Sequence, residues 1–395
     1  MSATVVVPDG EQRAALAVVR SLGRAGYRVV VASSRRRPLA GASRWAKESV
    51  RTPCPLREPS AAVEAWVALC SRVGATMLLP VTDAGVLAGF AAAESAPGLR
   101  IPPGSREAFL RASDKAAVAA AGAATGLPVP EQVAVDSPGT RPDIAGLRWP
   151  VVVKPSRSVV ADAAGGRRKL GVAYARSAAE LELRLSELPA GGYPVLLQRR
   201  IEGVGEGIFF LPGPAGPPAV FAHRRLRERP PSGGVSTLRE SIGAPHALAS
   251  SARHLLEALG WDGIAMVECK VDREGRAWLM EVNARFWGSL QLAVDAGMDF
   301  PLRMAMQLEG KDPGRPPAYR TGVRSRWWWG DVDHLIARFR QPEAEAWLPP
   351  GTPGRWHTLA DVLRPLAHRR RGEVLRLEDP LPALAETLAW LRREG

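Results

Sequence analysis

Trp278-Leu279-Met280-Glu281-Val282-Asn283-Ala284-Arg285-Phe286-Trp287-Gly288 is an apolar run interrupted at intervals of two by a carboxylate, an amide and a guanidinium. Ten residues upstream, Met266-Val267-Glu268-Cys269-Lys270-Val271 is a second apolar run, and Asp272-Arg273-Glu274-Gly275 between them has the composition of a tight turn. The two runs predict a β-hairpin. Residues two apart in a strand point the same way, so Glu281 and Asn283 share a face, and Glu268 on the partner strand can face the same side. Two carboxylates and an amide oxygen form a hard oxygen cluster suited to Mg²⁺. Arg285, two residues further along, can reach a phosphate bidentately. An ordinary solvent-exposed hairpin fits these residues equally well, and the upstream chain has to decide.

The chain has 395 residues, 46% of them hydrophobic and 24% charged, as expected of two or three globular domains with a sizeable core. No run of 18 apolar residues is present, and Met1-Ser2-Ala3-Thr4 enters a strand directly, so the expectation is a cytoplasmic protein with no membrane contact. Cys54, Cys70 and Cys269 are scattered without metal spacing and read as free thiols. The net charge of +13 raises nucleic-acid binding. However, the basic runs (Arg35-Arg36-Arg37, Arg167-Arg168-Lys169, His223-Arg224-Arg225, Arg369-Arg370-Arg371) are short and dispersed, and no nucleic-acid motif accompanies them. Local phosphate binding is the better expectation, and no nucleic-acid partner is expected.

From the N-terminus, Val5-Val6-Val7, a helix over Ala14–Ala25 closed by Gly26, and a strand over Tyr27–Ala32 make a βαβ unit and so a parallel sheet. A helix over Ala61–Val73 and a strand over Thr76–Val81 continue it. Thr82-Asp83 falls just past that strand, where open α/β sheets bind ligands. No G-x-G-x-x-G follows the first strand, so this Rossmann-like domain, residues 1–105, lacks a dinucleotide fingerprint.

Ser113-Asp114-Lys115 begins an alanine-rich helix, with Asp114 favoured near its N-terminus. Trp149-Pro150-Val151-Val152-Val153-Lys154-Pro155 ends an apolar strand in a lysine, which must snorkel or meet a fixed anion. The small-residue, basic segment Ser156–Leu170, with Gly165-Gly166, suits a loop folded over phosphates or a plain surface loop, and it is not a P-loop. Pro194 to Phe210 reads as a strand, a glycine-rich bend and another strand. His223-Arg224-Arg225-Leu226-Arg227-Glu228-Arg229-Pro230-Pro231-Ser232-Gly233-Gly234 packs cations beside a flexible glycine pair. A helix over Ala247–Leu259 leads back to the hairpin.

In this order the features over residues 1 to about 310 resemble the ATP-grasp superfamily, and within it the carboxylate–amine ligases of the biotin-carboxylase and carbamoyl-phosphate-synthase branch. The resemblance implies an α/β chain, α+β in its ATP-grasp part: a Rossmann-like domain (1–105), a two-lobed ATP-grasp domain (106–310; small lobe about 125–200, large lobe about 201–310) and a C-terminal extension (311–395). It makes Lys115 and Lys154 the lysines on the α- and β-phosphates. Gln198, Arg199 and Ile201 become the hinge that reads adenine, with Gln198 where many members carry a glutamate, and Glu206 lies near the ribose position. Glu268, Glu281 and Asn283 take the metal positions, and Arg285 takes the γ-phosphate position with Arg225 or Arg227 assisting. The usual E-x-N-P-R is here Glu-Val-Asn-Ala-Arg, with Ala284 in place of proline.

The activity so implied is amide formation from a small-molecule carboxylate and amine through an acylphosphate, with ATP and Mg²⁺ (or Mn²⁺), in a chain compatible with a homodimer. A kinase of the same fold, a carboxylase, and a non-catalytic nucleotide-gated or polyanion-binding protein are the rivals. No Met-Lys-Met biotinyl motif is present for a carboxylase of the biotin type. Arg324 to Asp331, rich in tryptophan and arginine, reads as core packing of the extension or as the lining of an acceptor pocket. Pro349–Pro353 reads as a loop and Ala383–Arg393 as a terminal helix.

Overall fold

Four short strands at the N-terminus form a parallel sheet because valine alternates with nothing: Val5, Val6 and Val7 are all fully buried, as a sheet covered on both faces requires. In the computed structural model, which describes residues 3–140, 142–144, 146–162, 165–214, 216–341, 347–364 and 370–392, these are β1 (Thr4–Val7), β2 (Arg28–Ser33), β3 (Ala46–Arg51) and β4 (Met77–Leu78), in the order β3-β2-β1-β4. Val5 lies opposite Val29 and Val7 opposite Val31. The last strand is shorter than the expected Thr76–Val81, since Pro80 has no N–H to give to a ladder. Helix α1 (Arg13–Arg24) covers one face of this sheet, and α2 (Pro59–Val73) and α3 (Asp83–Ser95) cover the other.

Helices α4 (Arg106–Ala112) and α5 (Lys115–Ala124) follow, then a small antiparallel sheet of β5 (Gln132–Val135), β6 (Val151–Pro155), β9 (Ala173–Ala175) and β10 (Val195–Arg199), in the order β5-β10-β6-β9. Between β6 and β9 the expected loop Ser156–Leu170 contains a hairpin of β7 (Val159–Ala161) and β8 (Arg167–Lys169); Ala163 and Ala164 lie outside the described residues. Helix α6 (Ala178–Ser186) closes this lobe over Val135, Val151, Val153, Val195 and Leu197.

The large sheet has seven strands: β11 (Val204–Leu211), β12 (Ala219–Arg229), β13 (Val235–Ile242), β14 (Ala265–Val271), β15 (Ala277–Asn283), β16 (Arg324–Arg326) and β17 (Arg370–Gly372). Their order is β15-β14-β11-β12-β13-β16-β17. Strands β16 and β17 come from beyond residue 310, so the C-terminal segment completes this sheet rather than standing beside it. One face, carrying Ile208, Phe210, Val267 and Cys269, packs on α4, α5 and α7 (His246–Ala258). The other, carrying Phe209, Phe221 and Met266, packs on α8 (Leu290–Ala296), α9 (Phe300–Leu308) and α1 in a core shared with the N-terminal sheet. The shared core fixes the C-terminal ends of β1 and β4 against the hairpin. Beyond it lie α10 (Trp328–Arg340), α11 (Arg355–Leu363) and α12 (Leu381–Leu391); Arg369 and Arg393 lie outside the described residues.

Candidate active site

The predicted hairpin is β14–β15, and its register puts Glu268 directly opposite Glu281 and Met266 opposite Asn283. A bulge follows, pairing Cys269 with Leu279 rather than with Met280. It turns Leu279 into the core with Val282 and Ala284 while leaving Glu281 and Asn283 on the face of Glu268. Strict alternation would have set Leu279 beside Glu281, so the bulge is what separates the apolar residues of this strand from its polar ones.

Lysines converge on these carboxylates from two elements. Asp114 caps α5, its Oδ1 accepting from the amides of Ala116 at 2.9 Å and Ala117 at 3.2 Å, while the Lys115 amide donates to the Ser156 carbonyl at 2.8 Å. The helix start is thereby pinned to the end of β6. Lys115 is buried, donates to Ser158 Oγ at 2.9 Å and lies 3.8 Å from Glu281 Oε2. Lys154 donates to Gln198 Oε1 at 2.8 Å, and Gln198 Nε2 donates to Gln132. Burial draws the Lys154 ammonium down to about 8; Glu281 opposes this and Lys115 reinforces it. Burial would raise Glu281, but Lys115 and Lys154 overcome it and hold its carboxyl below the ordinary range.

Glu268 is in the opposite condition. Burial raises its pKa, the Arg225 guanidinium works against this, and the facing Glu281 adds to it. Arg225 Nη2 donates to Glu268 Oε2 at 2.5 Å and its Nη1 to Glu228 Oε1 at 2.9 Å. The glycine-rich start of β11 makes room for this side chain, since a Cβ on Gly205 would lie 2.8 Å from Arg225 Cδ. Lys270 Nζ, on the same face, reaches the Ile201 carbonyl at 3.4 Å. Asn283 Nδ2 donates to Glu281 Oε1 at 3.1 Å.

Arg285 is held by a fork from the N-terminal domain. Its Nε and Nη2 donate to the two carboxylate oxygens of Asp83 at 2.9 and 3.2 Å, and Nη2 also donates to Asn283 Oδ1 at 2.9 Å. Asp83 opens α3 behind the capping Thr82, and the turn before it is fixed by Asp9, whose Oδ2 accepts from the Val81 and Thr82 amides at 3.0 and 2.9 Å. Burial would raise Asp83, but Arg285 outweighs it and keeps the carboxyl ionised. A cleft of about 510 Å³, open to solvent, runs between Asp83, Lys115, Ser158, Glu281 and Asn283.

Two expected members are elsewhere. Glu206 sits on the opposite face of β11 from Glu268, because its ladder partners are Cys269 and Arg224; its Oε1 accepts from Arg224 Nε at 3.0 Å. Arg227 is carried away by the bulge in β12 after Arg225 and is forked onto Asp331 at 2.7 and 3.0 Å, with Asp361 at 2.6 Å. Its partners make it a tie to α10 and α11. In the Gln198–Ile201 stretch, the Arg199 amide donates to the Glu131 carbonyl at 2.8 Å, the Arg199 guanidinium lies 5.0 Å over the Trp278 ring, and Ile201 is buried. Ser158 and Glu228 carry no local signal in the sequence that marks them for this site, whereas Lys270 is the next same-face residue after Glu268. Asp83 lies at a sheet end, as its place after the strand predicts, and its grip on Arg285 is a contact distant in sequence.

Among the described residues no cluster of three His, Cys, Asp or Glu is gathered; the candidate donors brought together are Glu268, Glu281 and the Asn283 amide. Two facing carboxylates, one raised by burial and by the other's charge, fit a hard divalent cation.

Residues 219–330 match a family model described as ATP-grasp in the biosynthetic pathway with Ter operon. Comparison with curated proteins gives no match. Among solved structures, an L-amino acid ligase from Bacillus licheniformis aligns over 82% of this chain and 78% of its own at 15% identity, with a TM-score of 0.60. A biotin carboxylase from Campylobacter jejuni, in complex with β-γ-ATP, aligns over 81% and 74% at 16% identity, TM-score 0.62. The ADP complex of an N5-carboxyaminoimidazole ribonucleotide synthetase aligns over 92% and 96% at 13% identity, TM-score 0.63. No helix of the described residues is long and apolar enough to cross a membrane.

Proposed function

We propose that this chain, which has the ATP-grasp fold, is an ATP-dependent ligase that joins a small-molecule carboxylate to an amine and releases ADP and phosphate. The observation that carries the reading is the facing pair Glu268 and Glu281 with Lys115, Lys154, Arg225 and Arg285 around it. Lys115 and Lys154 meet the nucleotide phosphates as point charges, and the Gln198–Ile201 stretch meets the base. Glu268, Glu281 and Asn283 would hold Mg²⁺ or Mn²⁺, whose charge eases the approach of an anionic nucleophile to the phosphates.

A carboxylate oxygen of the substrate attacks the γ-phosphorus, the bond to the bridging oxygen of ADP breaks, and an acylphosphate forms. Arg285, oriented by Asp83, and Arg225 stabilise the charge on the transferring group. The amine nitrogen then attacks the acyl carbon, phosphate leaves, and the nitrogen loses its proton to give the amide. Arg157, Ser158 and Val159, which line the cleft, would help keep water from the acylphosphate. The test is ADP release over a panel of carboxylate–amine pairs, with the product identified by mass spectrometry. Glu281→Ala should abolish the release that depends on both substrates. Full activity in that variant would sink the proposal, and a phosphorylated alcohol as product would replace it with a kinase.

A further inference from the structure

Helix α12 carries four leucines that the folded chain leaves in solvent. Leu381 and Leu384 are each 56% exposed, Leu388 is 36% and Leu391 is 63%, and Leu377 just before the helix is 96% exposed. Their spacing is three, four, three, the a-d-a-d seam of a coiled coil, and among the described residues the four side chains stay exposed. The opposite side of the helix is anchored. Trp390 stacks on Trp329 of α10 at 4.0 Å between ring centres and donates to Asp333 at 3.0 Å. Trp327 donates to Glu386 at 2.8 Å and Trp329 to Thr387 Oγ1 at 3.0 Å. The tryptophan cluster thus holds α12 rigidly with its leucine seam outward.

We infer that this seam is a self-association surface, on which the α12 of a second copy of the chain packs antiparallel about a two-fold axis. Three observations select that occupant. The spacing reads the same in both directions, so an antiparallel copy sets Leu381 against Leu391 and Leu384 against Leu388 throughout, as an isologous interface demands. The seam is free of charge: Glu386 is the one ionisable side chain between Leu381 and Leu391, and it is turned inward onto Trp327. A chain of net charge +13 therefore meets no like charge along the seam itself. The five leucines together expose apolar surface on the order of 500 Å², at the upper end for a monomer's largest patch and, with a polar rim, near the ~800 Å² per partner of a specific dimer.

The full-length protein should sediment as a dimer, twice 42.3 kDa, at micromolar concentrations. The double variant Leu384→Glu/Leu388→Glu should raise the dimer dissociation constant by ~100-fold or more. Its far-UV circular dichroism should match the parent, because both side chains are exposed in the single chain, and its melting temperature should fall only to the concentration-independent value of the parent's dissociated chain. Pairing is read by oxidising mixtures: chains with Leu384→Cys and chains with Leu388→Cys should cross-link when combined and not when oxidised separately, beyond the background of the parent cysteines. A monomeric parent protein overturns the inference. So does a dimer indifferent to the glutamates, cross-linking within a single-variant sample, or capture of the monomer by phosphatidylglycerol–phosphatidylcholine vesicles through the same leucines.

Discussion

Lys154 ends a buried strand with its ammonium drawn down to about 8, which makes nucleotide affinity a function of pH in a calculable way. The charged form attracts phosphate, and a phosphate held against it returns its pKa towards the ordinary lysine range. Below pH 8 the free protein already carries the charge and affinity is at its full value. Above pH 8 the ammonium must first be reprotonated, so affinity falls by one factor of ten per pH unit. From pH 7 to pH 9 the loss is about tenfold, or ~1.4 kcal/mol. Lys154→Arg should flatten the profile, since a guanidinium keeps its charge across this range. Lys154→Met should bind weakly at every pH without the slope. Titration calorimetry of the nucleotide at constant Mg²⁺ and ionic strength, at pH 7, 8 and 9, measures all three. Lys270 is also drawn down by burial but persists in the arginine variant, so it is controlled for. A parent affinity constant within twofold across this range, or an arginine variant that keeps the tenfold loss, would refute the reasoning.

Asp83→Ala removes the fork that orients Arg285, and a misplaced guanidinium should lower the turnover of ADP release by ~30- to 100-fold. Asp83→Asn, which retains one acceptor, should fall between; turnover within twofold of the parent for the alanine variant would show that Asp83 does not position Arg285. Arg227→Met uncouples Asp331 and Asp361 from β12 and should destabilise the fold by ~2–4 kcal/mol in denaturant melts while leaving nucleotide affinity intact. Lost affinity with an unchanged melt would return Arg227 to the phosphate site.

The hairpin was legible because its signal is local: an apolar run with polar residues two apart has only one reading as a strand, and Glu281 and Asn283 share a face whatever lies beside them. Lys154 was legible for the same reason. What the sequence does not carry is parity across a bulge. Counting by twos from Glu281 places Leu279 in the site, and counting from Arg225 places Arg227 there, yet bulges in β15 and β12 send both elsewhere. Glu206 shows the limit of a one-residue uncertainty in a glycine-rich bend, where a shift of one reverses the face. The grip of Asp83 on Arg285 spans 202 positions, and no local pattern announces it. The joining of β16 and β17 to the large sheet was equally hidden, since three-residue strands lie below any periodic signal.

The charges of the site bear on why nucleotide and metal would have to arrive together. Five cations (Lys115, Lys154, Arg225, Lys270 and Arg285) face four carboxylates (Asp83, Glu228, Glu268 and Glu281), so the site is close to neutral as it stands. Each of the three candidate metal donors already has a protein partner: Glu268 Oε2 accepts from Arg225, Glu281 accepts from Asn283 and pairs with Lys115, and Asn283 Oδ1 accepts from Arg285. A divalent cation alone would have to displace those cations without giving them a new partner. A polyphosphate alone would take up the cations and leave Glu268 and Glu281 facing each other across the ladder without counter-charge, the costliest arrangement in a buried setting. Bound together, the two ligands would leave no group without a partner: Arg225, Lys115 and Arg285 would hold the phosphates, and Glu268, Glu281 and Asn283 would hold the metal. Under the proposed function, that joint pairing makes each ligand raise the affinity for the other, with the coupling set by the Glu268–Glu281 repulsion that the metal relieves.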